Sequence, residues 1–180
     1  MSDRLFYYSG SADRPPGQGV HESVSNPEPY RSLSACPGWR RMLSNFWMAD
    51  FTLNGRTWRT VEHAFQAAKI ALADEAAASP FALESGSAMS QQDGAAARKN
   101  RKAVLLTDAQ LRTWNAVKRE LMQAAMRAKF TQHPALGALL MATGDAELWH
   151  SGGRGQAPQR VYELEAVRAE LRAAAAGREG

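Results

Sequence analysis

Residues 46–69 read F-W-M-A-D-F-T-L-N-G-R-T-W-R-T-V-E-H-A-F-Q-A-A-K, and two local signals in this stretch decide the fold. Asn54-Gly55 lies between β-prone flanks and suits a two-residue hairpin loop, in which both positions need positive φ. A β-hairpin over residues 46–58 is therefore expected. Thr60 can then cap a helix, with Glu62 as its second residue, where the helix dipole favours negative charge. At 3.6 residues per turn, Glu62, Gln66 and Lys69 fall within about 60° of one another. They form a polar row beside an apolar stripe of Val61, Phe65, Ala68 and Leu72. If the stripe faces the core, the row lies at its edge, where partial burial moves carboxylate and amine pKa values. Spacing alone equally describes a solvated helix with weak side-chain pairing.

Upstream, Leu5-Phe6-Tyr7-Tyr8 has the composition of a short strand. Residues 13–38 are rich in Pro, Gly, Ser and Glu without apolar periodicity, which predicts a long loop and a candidate lid. Downstream, a helix is expected over residues 95–104. Another starts near Asp108, with Trp114, Val117, Leu121, Ala125 and Ala128 as its core stripe. Pro134 suits the first turn of a further helix bearing Leu136, Leu139 and Leu140. Leu164, Val167 and Leu171 mark a C-terminal helix that ends at Gly177. The expected fold is mainly α (α+β): one multihelical domain over residues 1–180 with a small β-hairpin or sheet element, without repeat or linker.

A chain of 180 residues suits one domain with a real core, and 44% hydrophobic with 22% charged residues excludes disorder as the dominant state. Cys36 is the sole cysteine, so no internal disulfide forms. One thiol and four scattered histidines do not assemble a cysteine-based zinc site, and neither metal nor cofactor is expected. No run approaches the roughly 18 apolar residues of a membrane span, and the N-terminus lacks a basic-then-apolar signal. A cytoplasmic protein without a membrane partner is expected. The net charge of +4 points to an anionic partner, either a sugar phosphate or a nucleic acid. Arg98, Lys99, Arg101, Lys102 and Arg112 form a candidate phosphate-contacting strip, a pattern shared with any solvated helix face.

Several segments, taken in order, carry a family resemblance. They are F-Y-Y-S at 6–9, L-S-N-F at 43–46, G-R-T-W-R-T at 55–60, E-H-A-F-Q-A-A-K at 62–69, W-N-A-V-K-R-E-L-M-Q-A-A-M-R-A-K-F at 114–130 and L-L-M-A-T at 139–143. Together they resemble the YbiA-like, or NADAR, family. The resemblance implies a mainly helical domain with a small β element and hydrolysis of N-glycosidic bonds. Two substrate groups are associated with relatives: ribosylamino-pyrimidine phosphates of early riboflavin synthesis, and ADP-ribose attached to guanine in nucleic acid. Each joins ribose C1 to an exocyclic amine of a heterocycle. The implied partner is thus a phosphorylated ribosyl or ADP-ribosyl substrate, with ADP-ribosylated DNA or RNA among the carriers. A module that binds ADP-ribose or a related nucleotide without turnover is the alternative.

The resemblance makes Glu62 and Lys69 the catalytic candidates. A ribosylamine can open to an imine, giving the Lys69 amine a carbon to attack while Glu62 shuttles protons. Direct attack by water on an oxocarbenium-like centre needs the same carboxylate. The matched segments add Asn45, Phe46, Trp47, His63, Gln66 and Arg101 as candidate substrate contacts. Asn45 suits sugar hydroxyls or its own turn backbone. Trp47 or Trp58 suits stacking on a heterocycle or packing. Arg101 suits a phosphate, although Asn100 replaces the glycine that relatives carry before it. The clearest departure is L-W-H-S-G-G-R-G-Q-A-P-Q-R at 148–160, where relatives have an acidic residue followed by W-G. There Trp149, His150 and Arg154 become candidates for holding the leaving heterocycle or a phosphate, which bears on the base released rather than on the reaction class.

Overall fold

The computed structural model describes residues 2–151 and 155–177. In chain order the elements are β1 (Arg4–Tyr7), α1 (Arg31–Ser34), α2 (Trp39–Leu43), β2 (Phe51–Leu53), β3 (Arg56–Trp58), α3 (Val61–Ala71) and α4 (Glu75–Ala78). These are followed by α5 (Gly94–Lys99), α6 (Asp108–Gln132), α7 (Pro134–Met141), β4 (Glu147–His150), β5 (Gln159–Arg160) and α8 (Tyr162–Ala176). The chain is mainly helical with two small sheets, as expected from its sequence. It divides into two compact units, one built from Met1–Ser44 and His133–Gly180, the other from Asn45–Gln132.

In the Asn45–Gln132 unit, β2 and β3 pair antiparallel, Phe51 opposite Trp58 and Leu53 opposite Arg56. Asn54 (φ 53°) and Gly55 (φ 73°) make the turn, the two left-handed positions that the Asn-Gly pair predicts. Gln132, at the end of α6, clamps this hairpin with its side-chain amide. The amide accepts from Thr52 N–H and donates to Thr52 C=O, both at 2.8 Å. Helix α3 packs against α4, α5, α6 and β3, with Phe65 tilted on Trp114 of α6 at 4.7 Å. Helix α5 is shorter than expected. Asp93 caps its start, and it stops at Asn100, whose side chain donates back to Ala96 C=O at 2.8 Å and closes the last turn.

In the other unit, β1 and β4 pair in parallel and β5 joins β4 antiparallel. Leu5, Leu43, Leu140, Leu148, Leu164 and Val167 are all fully buried there. The stretch expected as a long loop at residues 13–38 contains a turn of 3-10 helix at Glu28–Tyr30 running into α1, and it is anchored. Its anchor is Glu22, whose side chain is wholly buried against that of Arg40, itself 4% exposed. The Glu22 carboxylate accepts from the N–H groups of Phe6, Gly17 and Gly19, and from Arg40 Nε at 2.9 Å and Nη2 at 2.7 Å. A buried carboxylate needs that number of donors to offset its lost hydration.

Candidate active site

The site begins with the cap of α3. Thr60 is extended, and its hydroxyl oxygen accepts from the His63 N–H at 3.3 Å. The His63 ring is fully buried, with Nε2 3.2 Å from the Met89 carbonyl and Nδ1 2.8 Å from Thr60 Oγ1. A carbonyl only accepts, so Nε2 carries the proton and Nδ1 accepts from the Thr60 hydroxyl. Burial holds the His63 pKa below the ordinary histidine value, in keeping with this neutral tautomer. The sequence reading made His63 a substrate contact. Instead, both ring nitrogens are engaged by protein groups, and the ring fixes the first turn of α3.

That turn presents Glu62. Its backbone N–H donates to Asn45 C=O at 3.1 Å, and its carboxylate accepts from Gln66 Nε2 at 2.8 Å. Glu62 is 7% exposed and Gln66 6%, so two of the three residues of the polar row are more than partly buried, while Lys69 is half-buried. The reason is that α3 is buried on most of its circumference: His63, Ala67 and Ile70 are as buried as Val61 of the anticipated stripe, whereas Phe65 and Ala68 are only partly buried. Burial raises the Glu62 pKa above the usual carboxylate range. The Gln66 hydrogen bond and the charges of Arg98 and Arg101 pull the other way. Gln66 Oε1 is buried without a hydrogen-bond partner. Lys69, two turns after Glu62 and about 10 Å along the axis, is half-buried on the same face.

Neighbouring segments wall this row. Asn45 donates to Met122 Sδ at 3.3 Å, and Phe46 C=O accepts from Gly94 N–H at 3.3 Å. A Cβ at Gly94 would lie 2.5 Å from Phe46 Cα, so only glycine lets α5 start this close. That approach brings Arg98 and Arg101 to where their charges act on Glu62. Arg101 is exposed, and its Nη1 donates to Arg98 C=O at 3.0 Å. Trp47 is half-buried. Trp58 is packing: its Nε1 donates to Leu53 C=O at 3.1 Å. Its ring lines a hollow of about 230 Å³ with Ala64, Ala67 and Ala71 of α3 and the Arg56 and Glu75 side chains, on the side of α3 opposite Glu62.

Thus Asn45, Phe46, Trp47, Glu62, Gln66, Lys69 and Arg101 all belong to one compact unit, while Trp149 and His150 belong to the other. Trp149 stacks on Phe6 with ring centroids 5.8 Å apart, lies under Arg4 and donates to Glu147 Oε2 at 3.0 Å. His150 meets Tyr7 edge-on and lines a cavity of about 330 Å³ with Gln156, Ala157 and Gln159. Arg154 lies outside the described residues. Among the described residues no cluster of three metal-ligating side chains occurs.

Lys129 was given no role from sequence. It is fully buried in α6 with its Nζ 4.7 Å from the Phe130 ring, and burial pushes its pKa down to about 7. The available signal was helical spacing, since Lys129 follows Ala125 by four residues on the core stripe of α6.

Comparison with known proteins places the chain in a family. A family profile described as the NADAR domain matches residues 38–154. N-glycosidase YbiA of Shigella boydii is 36% identical over 138 residues, covering 71% of this chain and 79% of that protein. YbiA of Escherichia coli is 35% identical over the same coverage. A riboflavin biosynthesis protein of Vibrio vulnificus is 30% identical over 139 residues, which cover 72% of this chain and 35% of that protein. The NMR structure of E. coli YbiA superposes with a TM-score of 0.60 at 25% identity, covering 99% of this chain and 89% of that one. With both the profile and these relatives spanning the α3 segment and its surroundings, the chain belongs to the NADAR domain family.

Proposed function

We propose that this protein is an N-glycosidase that hydrolyses the bond between ribose C1 and an exocyclic amine of a heterocycle. The substrate is either ADP-ribosylated guanine, free or in nucleic acid, or a ribosylamino-pyrimidine phosphate. The observation that carries the reading is Glu62: a carboxyl group buried at the start of α3, with a pKa raised by desolvation and Lys69 two turns along the same face. A carboxyl whose pKa is raised by burial holds its proton more readily than an exposed one, which suits it to give that proton up and take it back during a reaction. The names of the YbiA relatives support the reaction class, and that of the Vibrio protein supports the riboflavin-type substrate.

In the proposed sequence, Glu62 protonates the ring oxygen as the ribosylamine opens to an imine. The Lys69 amine adds to C1 to give an aminal. The proton that the Lys69 nitrogen carries after adding to the protonated imine passes to the heterocycle nitrogen, the C1–N bond breaks, and the amine departs to leave a protonated lysine imine. Glu62, now a carboxylate, takes a proton from water as that water adds to C1, and collapse returns the free sugar and the Lys69 amine. Arg98 and Arg101, exposed at the end of α5, are suited to the substrate phosphates.

The test offers both substrate types to the purified protein and identifies the released sugar by mass spectrometry, with Glu62→Gln and Lys69→Ala as controls. Sugar release that disappears in Glu62→Gln supports the reading. Borohydride should trap a sugar on Lys69. Full turnover by Lys69→Ala would remove the imine route and leave direct attack by water. Retained binding of ADP-ribose without any released sugar supports the non-catalytic module instead.

A further inference from the structure

Gln66 uses one end of its amide and not the other. Its Nε2 donates to Glu62 Oε1 at 2.8 Å, while its Oε1 is buried without a partner in a side chain only 6% exposed. Leaving a buried acceptor unmade costs on the order of 1–3 kcal/mol, so an orphan beside a reacting carboxyl points to a ligand group that completes it.

An ionised carboxylate is acceptor-only, so Glu62 in that state takes the N–H of Gln66. A protonated Glu62 carries an O–H. Gln66 can accept that O–H by turning its amide over, so that Oε1 meets the proton and Nε2 moves to the orphan position. The two amide ends are nearly equal in size, so this turn needs no repacking. The orphan position therefore presents an acceptor while Glu62 acts as base and a donor while it acts as acid. A carbonyl or ring nitrogen on the substrate matches only the second state, and an N–H only the first. A hydroxyl matches both.

We propose that Gln66 is a positioning residue whose amide turns over as Glu62 gains and loses its proton, and whose outer atom meets a hydroxyl of the ribosyl group. This rests on the N-glycosidase reading for the identity of the ligand. The burial that raises the Glu62 pKa supports it, because desolvation favours the protonated carboxyl beside Gln66.

The first experiment needs no substrate. Glutamate-labelled protein is titrated by NMR, following the Glu62 carboxyl carbon and the Gln66 side-chain amide together. The Gln66 amide is expected to shift with the midpoint of Glu62, and Gln66→Met is expected to move that midpoint upward by removing a hydrogen bond to the charged form. Met fills similar space and deletes the orphan acceptor, so folding should survive. If it does not, the wild-type amide alone decides. A Gln66 amide that stays flat through the Glu62 midpoint overturns the turnover.

The second experiment measures kcat/KM for the substrate and its single-deoxy ribosyl analogues. One analogue should react about tenfold more slowly with wild type yet no more slowly than the parent with Gln66→Met, with a pH profile shifted in the same variant. Equal losses for every analogue in both proteins overturn the hydroxyl contact. If wild type releases no sugar from any substrate, the enzymatic reading fails, while the titration still decides the amide turnover.

Discussion

A carboxylate at the second position of a helix is ordinarily favoured by the N-terminal N–H groups, yet Glu62 is buried deeply enough that desolvation outweighs them. Its folded pKa lies above the unfolded value of 4.5. The group therefore favours folding fully below that pH, and the benefit is lost as pH rises through the folded pKa. At neutral pH Glu62 is a destabilising residue, which is the sign expected of a group kept for chemistry. Glu62→Gln should lower kcat/KM by roughly 10²-fold or more, as removal of a proton shuttle does, while raising the melting temperature by a few degrees at neutral pH and not at all near pH 4. Turnover assays beside calorimetry check this, and a variant that loses both activity and stability would make Glu62 structural. His63 has the opposite linkage. Its lowered folded pKa gives stability that is complete above 6.5 and lost as pH falls through the folded value. The motif identified both residues, but it did not separate the carboxyl proposed to act on the substrate from the imidazole bonded to Thr60 and Met89. That separation depends on which side of α3 its neighbours cover.

At the scale of elements, what was legible was what is encoded locally. Asn54-Gly55 specified the hairpin and Thr60 the start of α3, because turn chemistry and caps are set by a few adjacent residues. Strands β4 and β5 were not legible. They span four residues and two, and β4 earns its place by parallel pairing with Arg4–Tyr7, more than a hundred residues upstream, which no local pattern announces. Helix α5 ends early because the Asn100 side chain closes its last turn, and its start is docked through Gly94 on Phe46. Gly94→Ala should force this contact apart, lowering stability by about 1–3 kcal/mol and weakening phosphate binding, because Arg98 rides on the displaced helix and Arg101, in the turn after it, is tied to the Arg98 carbonyl. Denaturant melts and inorganic phosphate titration check it. Gly55→Ala is the control: it meets nothing within 4 Å but strains a φ of 73°, so it should cost about 1 kcal/mol and leave phosphate affinity unchanged.

For the molecule as a whole, stability is shaped by ionisable groups taken out of water, and composition conceals them. Glu22 and Lys129 count as ordinary surface charges in a tally of net charge, yet both side chains are fully buried. Glu22 is matched by Arg40 and three backbone N–H groups, so removing it should leave Arg40 uncompensated and destabilise the protein by about 3–5 kcal/mol. Lys129 behaves differently. Burial drives its amine from 10.5 to about 7, so the folded state gives up the proton in a range where the unfolded chain keeps it. A depressed folded pKa means that stability is complete above 10.5 and is lost as pH falls toward 7. Wild-type protein should therefore melt several degrees higher near pH 9 than near pH 7, the reverse of a protein limited by alkaline loss of surface ion pairs. Lys129→Met, which fills the same space without a titrating amine, should flatten that dependence and melt higher near pH 7. A wild-type melting temperature that falls between the two pH values, or a Lys129→Met variant that retains the rise, would show that the Lys129 amine stays protonated inside the fold.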